Sequence, residues 1–256
     1  MVYKKRLDGR KMNETREIEA KAGVIKKADG SAYFKIGKTW AYAAVYGPRE
    51  LYPRFLQNAN KGIVRFSYTM MPFSGMGERV RPGPNRRSKE ISMVSQKALN
   101  SVVDLVDFPN TVVDVVVELP QTDAGSRCAG ICAASIALAD AGVPMKDMVA
   151  AVAAGVVDNT VCLDLSYEEE QYPDYAKEKL DSEHVADIPV ACIPSTGEIT
   201  LLQMDGIMNK DQLIDAINLA KEKCKEIVEI QRNAIHEKYK YKINKKSMDW
   251  KKELGE

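Results

Sequence analysis

The sequence predicts an α+β fold in which two β-rich halves surround central helices. Two separate regions show the apolar–polar alternation of half-buried strands, one before residue 75 and one after residue 147. The region between them and the segment after residue 208 instead repeat apolar residues at helical spacing. The 256 residues suffice for one large domain or two fused smaller ones.

The first half follows a polar, turn-rich arm. The stretch IEAKAGVIKKADGSAYFKIG alternates on both sides of a turn at residues 28–31 and predicts a hairpin. TWAYAAVYGP predicts a third strand, closed by Gly47 and Pro48. GIVRFSYTMMPFS predicts a fourth strand, and four of its apolar residues share one face: Val64, Phe66, Tyr68 and Met70.

Two helices and a strand are predicted in the middle of the chain. Asn85 suits the N-cap of the first helix, and TVVDVVVEL predicts a β-branched strand after it. The second helix, rich in Ala, begins near TDAGSR and ends at Gly142, just before Pro144. The apolar positions of the first helix are Ile91, Val94, Ala98, Val102 and Val106.

The second half repeats the pattern of strands followed by a helix. Its strands turn at Asp158 and Asn159 and again at residues 195–197, and Asn209 caps a long helix. From Lys238 the chain is lysine-rich with few apolar residues, which predicts a frayed helix or a mobile tail.

Composition and charge exclude several classes of protein. With 37 basic and 36 acidic side chains, the overall charge does not indicate a nucleic-acid binder, so any anion site is local. The N-terminus lacks the apolar core of a signal peptide, and no run approaches the roughly 18 apolar residues of a membrane helix. Five cysteines without CxxC spacing predict reduced, buried thiols in a cytoplasmic protein.

The start of the second helix is a candidate anion site. Gly125 allows a ligand to approach the backbone closely, and Ser126 adds a hydroxyl beside the unpaired N–H groups of the first helical turn. Arg127 opposes the helix dipole by about 0.3–1 kcal/mol, a cost that a bound phosphate would reverse. The alternative is that Asp123 caps the helix and Arg127 pairs with a carboxylate.

Two further features support an anion site. Arg86 and Arg87 also crowd a helix start, and the guanidinium group binds phosphate oxygens bidentately. The acidic stretch from Asp164 to Asp187 could bind magnesium or move a proton, although its glutamate run alone is more typical of a solvated loop. Both histidines lie in polar surroundings, and no P-loop or GxGxxG motif is present.

These stretches together resemble the RNase PH family. They include RLDGRKMNETREIE, GVIKKADGSAYFKIGKT, AAVYGPREL, YPRFLQ, MMPFS, NRRSKEIS, QTDAGSRCAGICAAS, LDLSYEEE and ADIPVA, in family order from about Arg6 to Ile230. VYGPRE and TDAGSR are specific signals, and VYGPRE favours the archaeal exosome branch over the bacterial tRNA-trimming enzymes.

The resemblance implies a fold, an assembly and a reaction. The fold is two β/α halves, similar to domain 2 of ribosomal protein S5, packed as one α+β domain. We predict an N-terminal arm at 1–17, the catalytic domain at 18–235 with halves 18–145 and 146–235, and a lysine-rich tail at 236–256. The implied assembly is a hexameric ring with three copies each of this chain and a catalytically silent paralogue, under RNA-binding cap proteins. The implied reaction is phosphorolysis of RNA 3′ ends, with inorganic phosphate as co-substrate and Mg²⁺ as cofactor.

The resemblance also assigns residues. Gly125, Ser126, Arg127 and Arg87 correspond to phosphate-binding positions, whereas Arg54, Arg86 and Arg87 correspond to positions that contact RNA. Asp187 corresponds to the second of two active-site acids that also bind metal. For the first acid, the sequence context favours Glu170, which would imply a partial insertion at 171–186, whereas the family's six-residue spacing favours Asp181. We favour Glu170. A homohexameric tRNA-trimming enzyme and an inactive RNA-binding ring scaffold remain as alternatives.

Overall fold

The computed structural model describes residue 3 and residues 5–76, 79–171 and 185–253, the last thirteen of these as backbone only. The described part of the chain forms two sheets and four α-helices. The helices are α1 (Arg86–Asn100), α2 (Ser126–Asp140), α3 (Tyr167–Glu170) and α4 (Lys210–Glu253).

The first half contains a five-stranded sheet. Its spatial order is β1-β2-β3-β5-β4, and β4 pairs with β5 in parallel whereas the other pairs are antiparallel. The strands are β1 (Ile18–Ala22), β2 (Gly30–Ile36), β3 (Thr39–Glu50), β4 (Ile63–Met70) and β5 (Thr111–Gln121).

The second half contains a four-stranded antiparallel sheet in the order β7-β6-β8-β9. Its strands are β6 (Ala150–Val157), β7 (Thr160–Leu163), β8 (Val185–Ile193) and β9 (Glu198–Leu202). The predicted turn at Asp158 and Asn159 is confirmed, since both residues have positive φ, 43° and 63°. Such values are typical of two-residue hairpin loops. The predicted hairpin at residues 195–197 is confirmed as well.

Helix α2 lies between the two sheets and contacts both. Thirteen of its fifteen residues are buried, because a helix that is apolar all round needs neighbours on every side. Small residues permit this close packing. A side chain added at Gly30 would lie only 2.3 Å from the Ala137 carbonyl oxygen. The packing fixes the N-terminal end of α2 where the two halves meet.

The predicted helix caps are confirmed. The Asn85 side chain accepts a hydrogen bond from the Ser88 backbone N–H at the start of α1. At the start of α4, Asn209 accepts one from the Gln212 N–H at 2.9 Å. Both arrangements satisfy N–H groups that the first helical turn leaves unpaired.

Three predicted boundaries differ from the structure. Helix α1 ends at Asn100, although the apolar spacing that predicted it continues to Val106. Val106 lies beyond the helix and is 61% exposed. The turn after β1 spans residues 23–29 instead of 28–31. Strand β3 continues past Gly47 and Pro48 because a bulge between Tyr46 and Arg49 restores its pairing with β5.

Helix α4 continues through the predicted tail boundary at residue 236 as far as Glu253. Lys238 pairs with the buried carboxylate of Asp140, and the Tyr239 hydroxyl donates to the Asp140 backbone oxygen. The first residues of the lysine-rich segment therefore pack against the C-terminal end of α2. Within the described ranges, no helix has the length and apolar character needed to cross a membrane.

All five cysteines are buried and free, which confirms the prediction of reduced, buried thiols. Cys128 and Cys132 lie on α2, Cys162 on β7, Cys192 on β8 and Cys224 on α4.

Candidate active site

A cavity of about 680 Å³ lies where the two halves of the molecule meet. The first half lines it with the start of α2 and part of α1, and the second half with α3, β8 and the segment after β9. Its charged and polar lining residues are Arg87, Glu90, Asp123, Ser126, Arg127, Glu170, Gln171, Asp187, Gln203 and Asp205.

The start of α2 has the features of an anion site. Gly125 is the N-cap residue with φ 68°, a left-handed conformation that glycine adopts at no steric cost, and no side chain of the described residues caps the helix. The Tyr68 hydroxyl donates to Ser126 Oγ at 2.8 Å, which leaves the hydrogen of the Ser126 hydroxyl for another acceptor. The first-turn N–H groups, this hydroxyl and the helix dipole all favour an anion in the cavity.

Asp123 does not cap α2, so that part of the alternative interpretation is wrong. Its carboxylate accepts hydrogen bonds from Arg16 Nη1 at 2.9 Å and from the Tyr167 backbone N–H at 3.0 Å. Asp123 therefore connects the N-terminal arm to the start of α3.

Arg127 does have a carboxylate near it. Its Nη1 donates to Gln203 Oε1 and lies 3.8 Å from Glu90 Oε1, while Gln203 Nε2 donates to the same Glu90 oxygen at 2.8 Å. Glu90 is 44% exposed, so this pair is weak. Gln203 and Glu90 hold the guanidinium group at the cavity wall.

The predicted arginines do not all meet at the cavity. Arg87 lines it, and its positive charge opposes the rise in the pKa of both Glu170 and Asp187. Arg86 is exposed at the start of α1 and is not part of the lining. Arg54 lies in a short 3₁₀ turn, 78% exposed, with its Nε 3.9 Å from Glu50 Oε1.

Two predicted acids lie in the cavity wall. Asp187 lies on β8, and its Oδ1 is buried without a hydrogen-bond partner among the described residues. Burial raises the pKa of Asp187 to about 6, against the opposing charges of Arg127 and Arg87. Burial, followed by the charge of Asp187, raises the pKa of Glu170 to about 8. Asp181 lies outside the described residues, so the choice between it and Glu170 stays a prediction.

The N-terminal arm supports the segment that ends in Glu170, a feature that the sequence interpretation missed. Arg6 is 1% exposed and donates to Glu169 Oε1 and Oε2 at 2.8 and 2.6 Å and to the Leu163 oxygen at 2.7 Å. Arg16 donates to both carboxylate oxygens of Asp164 at 2.9 and 2.7 Å. Two buried arginines thus hold the connection between β7 and α3.

Glu169 and Glu170 face different surroundings although they are adjacent. Burial alone would raise the pKa of Glu169, but hydrogen bonds from Arg6, the Ser166 N–H and Tyr3 lower it to about 2. Glu169 also forms a capping box with Ser166. The SxxE pattern at residues 166–169 is a sequence signal for this cap and could have separated the structural Glu169 from Glu170.

Comparison with known proteins identifies the family. The model for the 3′ exoribonuclease family, domain 1, matches residues 14–144, and the model for its domain 2 matches residues 147–223. The exosome complex component Rrp41 of Methanopyrus kandleri is 51% identical over 234 residues, which cover 91% of this chain and 93% of that protein.

Two solved structures share the fold. Rice Rrp46 superposes with a TM-score of 0.75 at 24% identity and covers 90% of this chain and 100% of its own. A chain of the Archaeoglobus fulgidus exosome with RNA bound to the active site superposes with a TM-score of 0.72 at 22% identity, over 88% of this chain and 92% of that one. These similarities confirm the predicted RNase PH-like fold, and the chain belongs to the RNase PH family of 3′ exoribonucleases.

Proposed function

We propose that this chain is a phosphorolytic 3′→5′ exoribonuclease subunit of an exosome ring. The observation that carries the proposal is that an uncapped helix start, two arginines and two half-buried acids line the same cavity. Family membership supports exonuclease activity, and the relative from Methanopyrus kandleri is named as an exosome component. Phosphate as the attacking group is what the resemblance to the RNase PH family implies, and the anion site supports it.

In this proposal, inorganic phosphate binds at the start of α2. Gly125 and Ser126 supply donors, and Arg127 and Arg87 supply positive charge from two helices. Arg127 leaves its weak contact with Glu90 for the phosphate oxygens, since a dianion is a better partner than an exposed carboxylate. The RNA backbone is held by Arg86 and Arg87 near the cavity and by Arg54 further out.

The reaction exchanges one phosphorus–oxygen bond for another. A phosphate oxygen attacks the phosphorus of the last phosphodiester, the bond to the 3′ oxygen of the preceding nucleotide breaks, and a nucleoside diphosphate leaves. The 3′ oxygen then needs a proton. Glu170, with its pKa raised to about 8, carries a proton at neutral pH and is the proposed donor, and Asp187 lies within its electrostatic reach.

The two acids also suit Mg²⁺. The orphaned Asp187 Oδ1 and the nearby carboxylate of Glu170 provide two hard oxygen ligands, and Mg²⁺ commonly binds one or two carboxylates together with substrate phosphates. The described residues include no cluster of three or more metal-binding side chains, so substrate oxygens would complete the site. Glu170 would bind the ion only in its ionised form. The ion would then stabilise negative charge on the leaving oxygen in place of proton donation by Glu170.

The proposed assembly is a hexamer with three copies of a catalytically silent paralogue, with RNA-binding cap proteins, in the cytoplasm. A homohexameric tRNA-trimming enzyme is the second candidate, since ring partners are not specified by this chain alone. Native mass measurement of the purified complex distinguishes a ring of one chain from a ring of two.

Product analysis tests the reaction. With single-stranded RNA and phosphate, the assembled ring should release nucleoside diphosphates, and it should leave RNA uncut when phosphate is removed. Release of nucleoside monophosphates without phosphate would mean hydrolysis and would exclude the proposed mechanism. RNA binding without any product would instead favour an inactive scaffold.

A further inference from the structure

Cys192 and Cys224 are neighbours on different elements of the second half. Cys192 lies on β8, where its register partner on β6 is Ala150. Cys224 lies on α4, and its Sγ is 3.4 Å from the backbone oxygen of that same Ala150. The Cys224 thiol donates its hydrogen to that oxygen and lies within hydrogen-bonding reach of Cys192. The two thiols therefore meet between the helix and the sheet.

A second cavity gives small molecules a route to this pair. It has a volume of about 400 Å³, lies between the β8–β9 turn and α4, and shares no lining residue with the cavity of the candidate active site. Its wall consists of Cys192, Pro194, Gly197 and Asn218 together with three charged residues of α4, namely Lys221, Glu222 and Lys225. Cys192 itself is only 1% exposed, so access depends on this cavity.

The surroundings of Cys192 differ from those of the other cysteines. The hydrogen-bonding contact with Cys224, and then the charges of Lys221 and Lys225, lower the pKa of Cys192 although burial opposes them. Burial raises the pKa of Cys132 to about 12 and that of Cys162 to about 11. Since the thiolate is the reactive form, Cys192 is the thiol that its environment activates.

We propose that Cys192 and Cys224 are a redox-modification site that a small peroxide converts from a dithiol to a disulfide. The Cys192 thiolate attacks one peroxide oxygen, the O–O bond breaks, and the products are a sulfenic acid and, after protonation, water. The Cys224 thiol then attacks the sulfenic sulfur, which forms the S–S bond and releases a second water. The two thiols lose two electrons and two protons, and hydrogen peroxide is reduced to two water molecules.

The disulfide would join β8, which carries Asp187, to α4 through a covalent bond. Cytosolic disulfides are usually transient and redox-sensing, and this one would be reversed by a thiol reductant. The Cys128 and Cys132 thiols on α2 are a natural comparison, because they are buried one helical turn apart and do not line this cavity.

The test treats the folded, full-length chain with hydrogen peroxide and maps the unreduced protein by mass spectrometry. Cleavage after glutamates frees Cys224 on the short fragment between Glu222 and Glu226 and Cys192 on a fragment that ends at Glu198. We expect these two fragments to be linked, with the loss of two hydrogen atoms per chain and the recovery of both thiols in dithiothreitol. Oxidation that spares this pair, or that links Cys128 to Cys132 instead, overturns the proposal.

Matched variants test the order of the two steps. Cys224→Ala should stop the reaction at a Cys192 sulfenic acid that dimedone traps, whereas Cys192→Ala should leave Cys224 unmodified. Cys132→Ala is the control and should form the disulfide as the unaltered chain does. Equal dimedone labelling of Cys224 in the Cys192→Ala protein would contradict the assignment of Cys192 as the attacking thiol. The map of the unaltered chain decides the proposal even if a variant fails to fold.

Discussion

The environment that suits Glu170 for its proposed catalytic role also lowers the stability of the folded chain. Burial raises its pKa from 4.5 to about 8, so the folded chain keeps a proton that the unfolded chain releases at neutral pH. A group with a raised pKa in the folded state contributes its full stability below the unfolded value and loses it as the pH rises through the folded value. The same burial that keeps Glu170 protonated for the leaving oxygen therefore lowers the stability of the fold at pH values above 4.5, where the unfolded chain ionises freely.

We expect Glu170→Gln to raise the thermal unfolding temperature in a pH-dependent way. The gain should be near zero below about pH 4.5, increase between about pH 4.5 and 8, and level off above, because glutamine has no charge to bury. Thermal unfolding across this pH range, with a chelator in every sample, measures it. Glu168→Gln, at an exposed neighbouring position, is the control. A difference that does not vary with pH would contradict the burial of an ionisable Glu170.

The anion site predicts a specific defect for Arg127→Ala. Charge-assisted hydrogen bonds contribute about 1.5–3 kcal/mol, so the KM for phosphate should rise roughly ten- to hundredfold while the ring still assembles. Initial rates at varied phosphate measure this change. Arg232→Ala, which removes an exposed partner of Glu229 and Asp147, should leave the KM unchanged. An unchanged KM for Arg127→Ala would make Arg127 a structural partner of Glu90.

The acids should differ in their effects on turnover. Asp187→Asn should lower turnover by about 10²- to 10⁴-fold, the usual contribution of general acid–base catalysis, while RNA binding survives. Of the two candidates for the first acid, Glu170→Gln should be as damaging and Asp181→Asn nearly silent. Single-turnover rates and RNA binding, measured together, separate these effects. The reverse result would move the first acid to Asp181 and keep the reaction.

Helix α3 is an element that cannot hold its own position. It has four residues, and a single turn of helix is unstable without tertiary contacts. Those contacts come from Arg6, which is buried against Glu169, and from Arg16, which is buried against Asp164. The N-terminal arm therefore determines where Glu170 lies.

Removal of one member of the Arg6–Glu169 pair should destabilise the chain. Arg6→Met removes the closest ion-pair partner of the buried Glu169, a loss that typically costs about 3–5 kcal/mol. Tyr3, Ser166 and the more distant Arg10 remain beside Glu169 and should keep the cost toward the lower end of that range. The double variant Arg6→Met/Glu169→Met should recover much of that stability, because no buried charge is left alone, but not the turnover, because α3 has lost its anchor. Denaturant unfolding and turnover measure the two effects. Lys11→Ala, at an exposed arm position, is the control, and full turnover in the double variant would contradict the positioning role.

At the scale of elements, the sequence predicts what local chemistry decides. Asn85 and Asn209 cap their helices as predicted, and Asp158 and Asn159 form their turn, because these residues act on the backbone next to them. The predicted ends of α1 and β3 are wrong because contacts distant in sequence determine them. Strand β3 continues past Pro48 since Arg49 pairs with Val112 of β5.

At the scale of the whole molecule, local sequence patterns predict which residues belong to the site but not that these residues come together in one cavity. Three candidates at the start of α2 and Arg87 could be chosen from their own segments, yet only the packing of both sheets on α2 places them opposite Glu170 and Asp187. The buried arginines of the arm were missed, since a polar N-terminal segment is usually exposed. Arg54 and Arg86 lie outside the cavity, so their predicted contacts with RNA would occur beyond it.

The seam between the halves has a consequence for dissecting the protein. Gly142 is exposed, and a bond broken there would leave Arg87 and the start of α2 on one fragment and Glu170 and Asp187 on the other. Each fragment would bare apolar surface of the shared core around α2. Expressed apart, the pieces should be inert, and co-expressed they should find each other through that surface and restore exonuclease activity. RNA shortening would then report that the two fragments have reassembled, because neither fragment contains a complete catalytic centre.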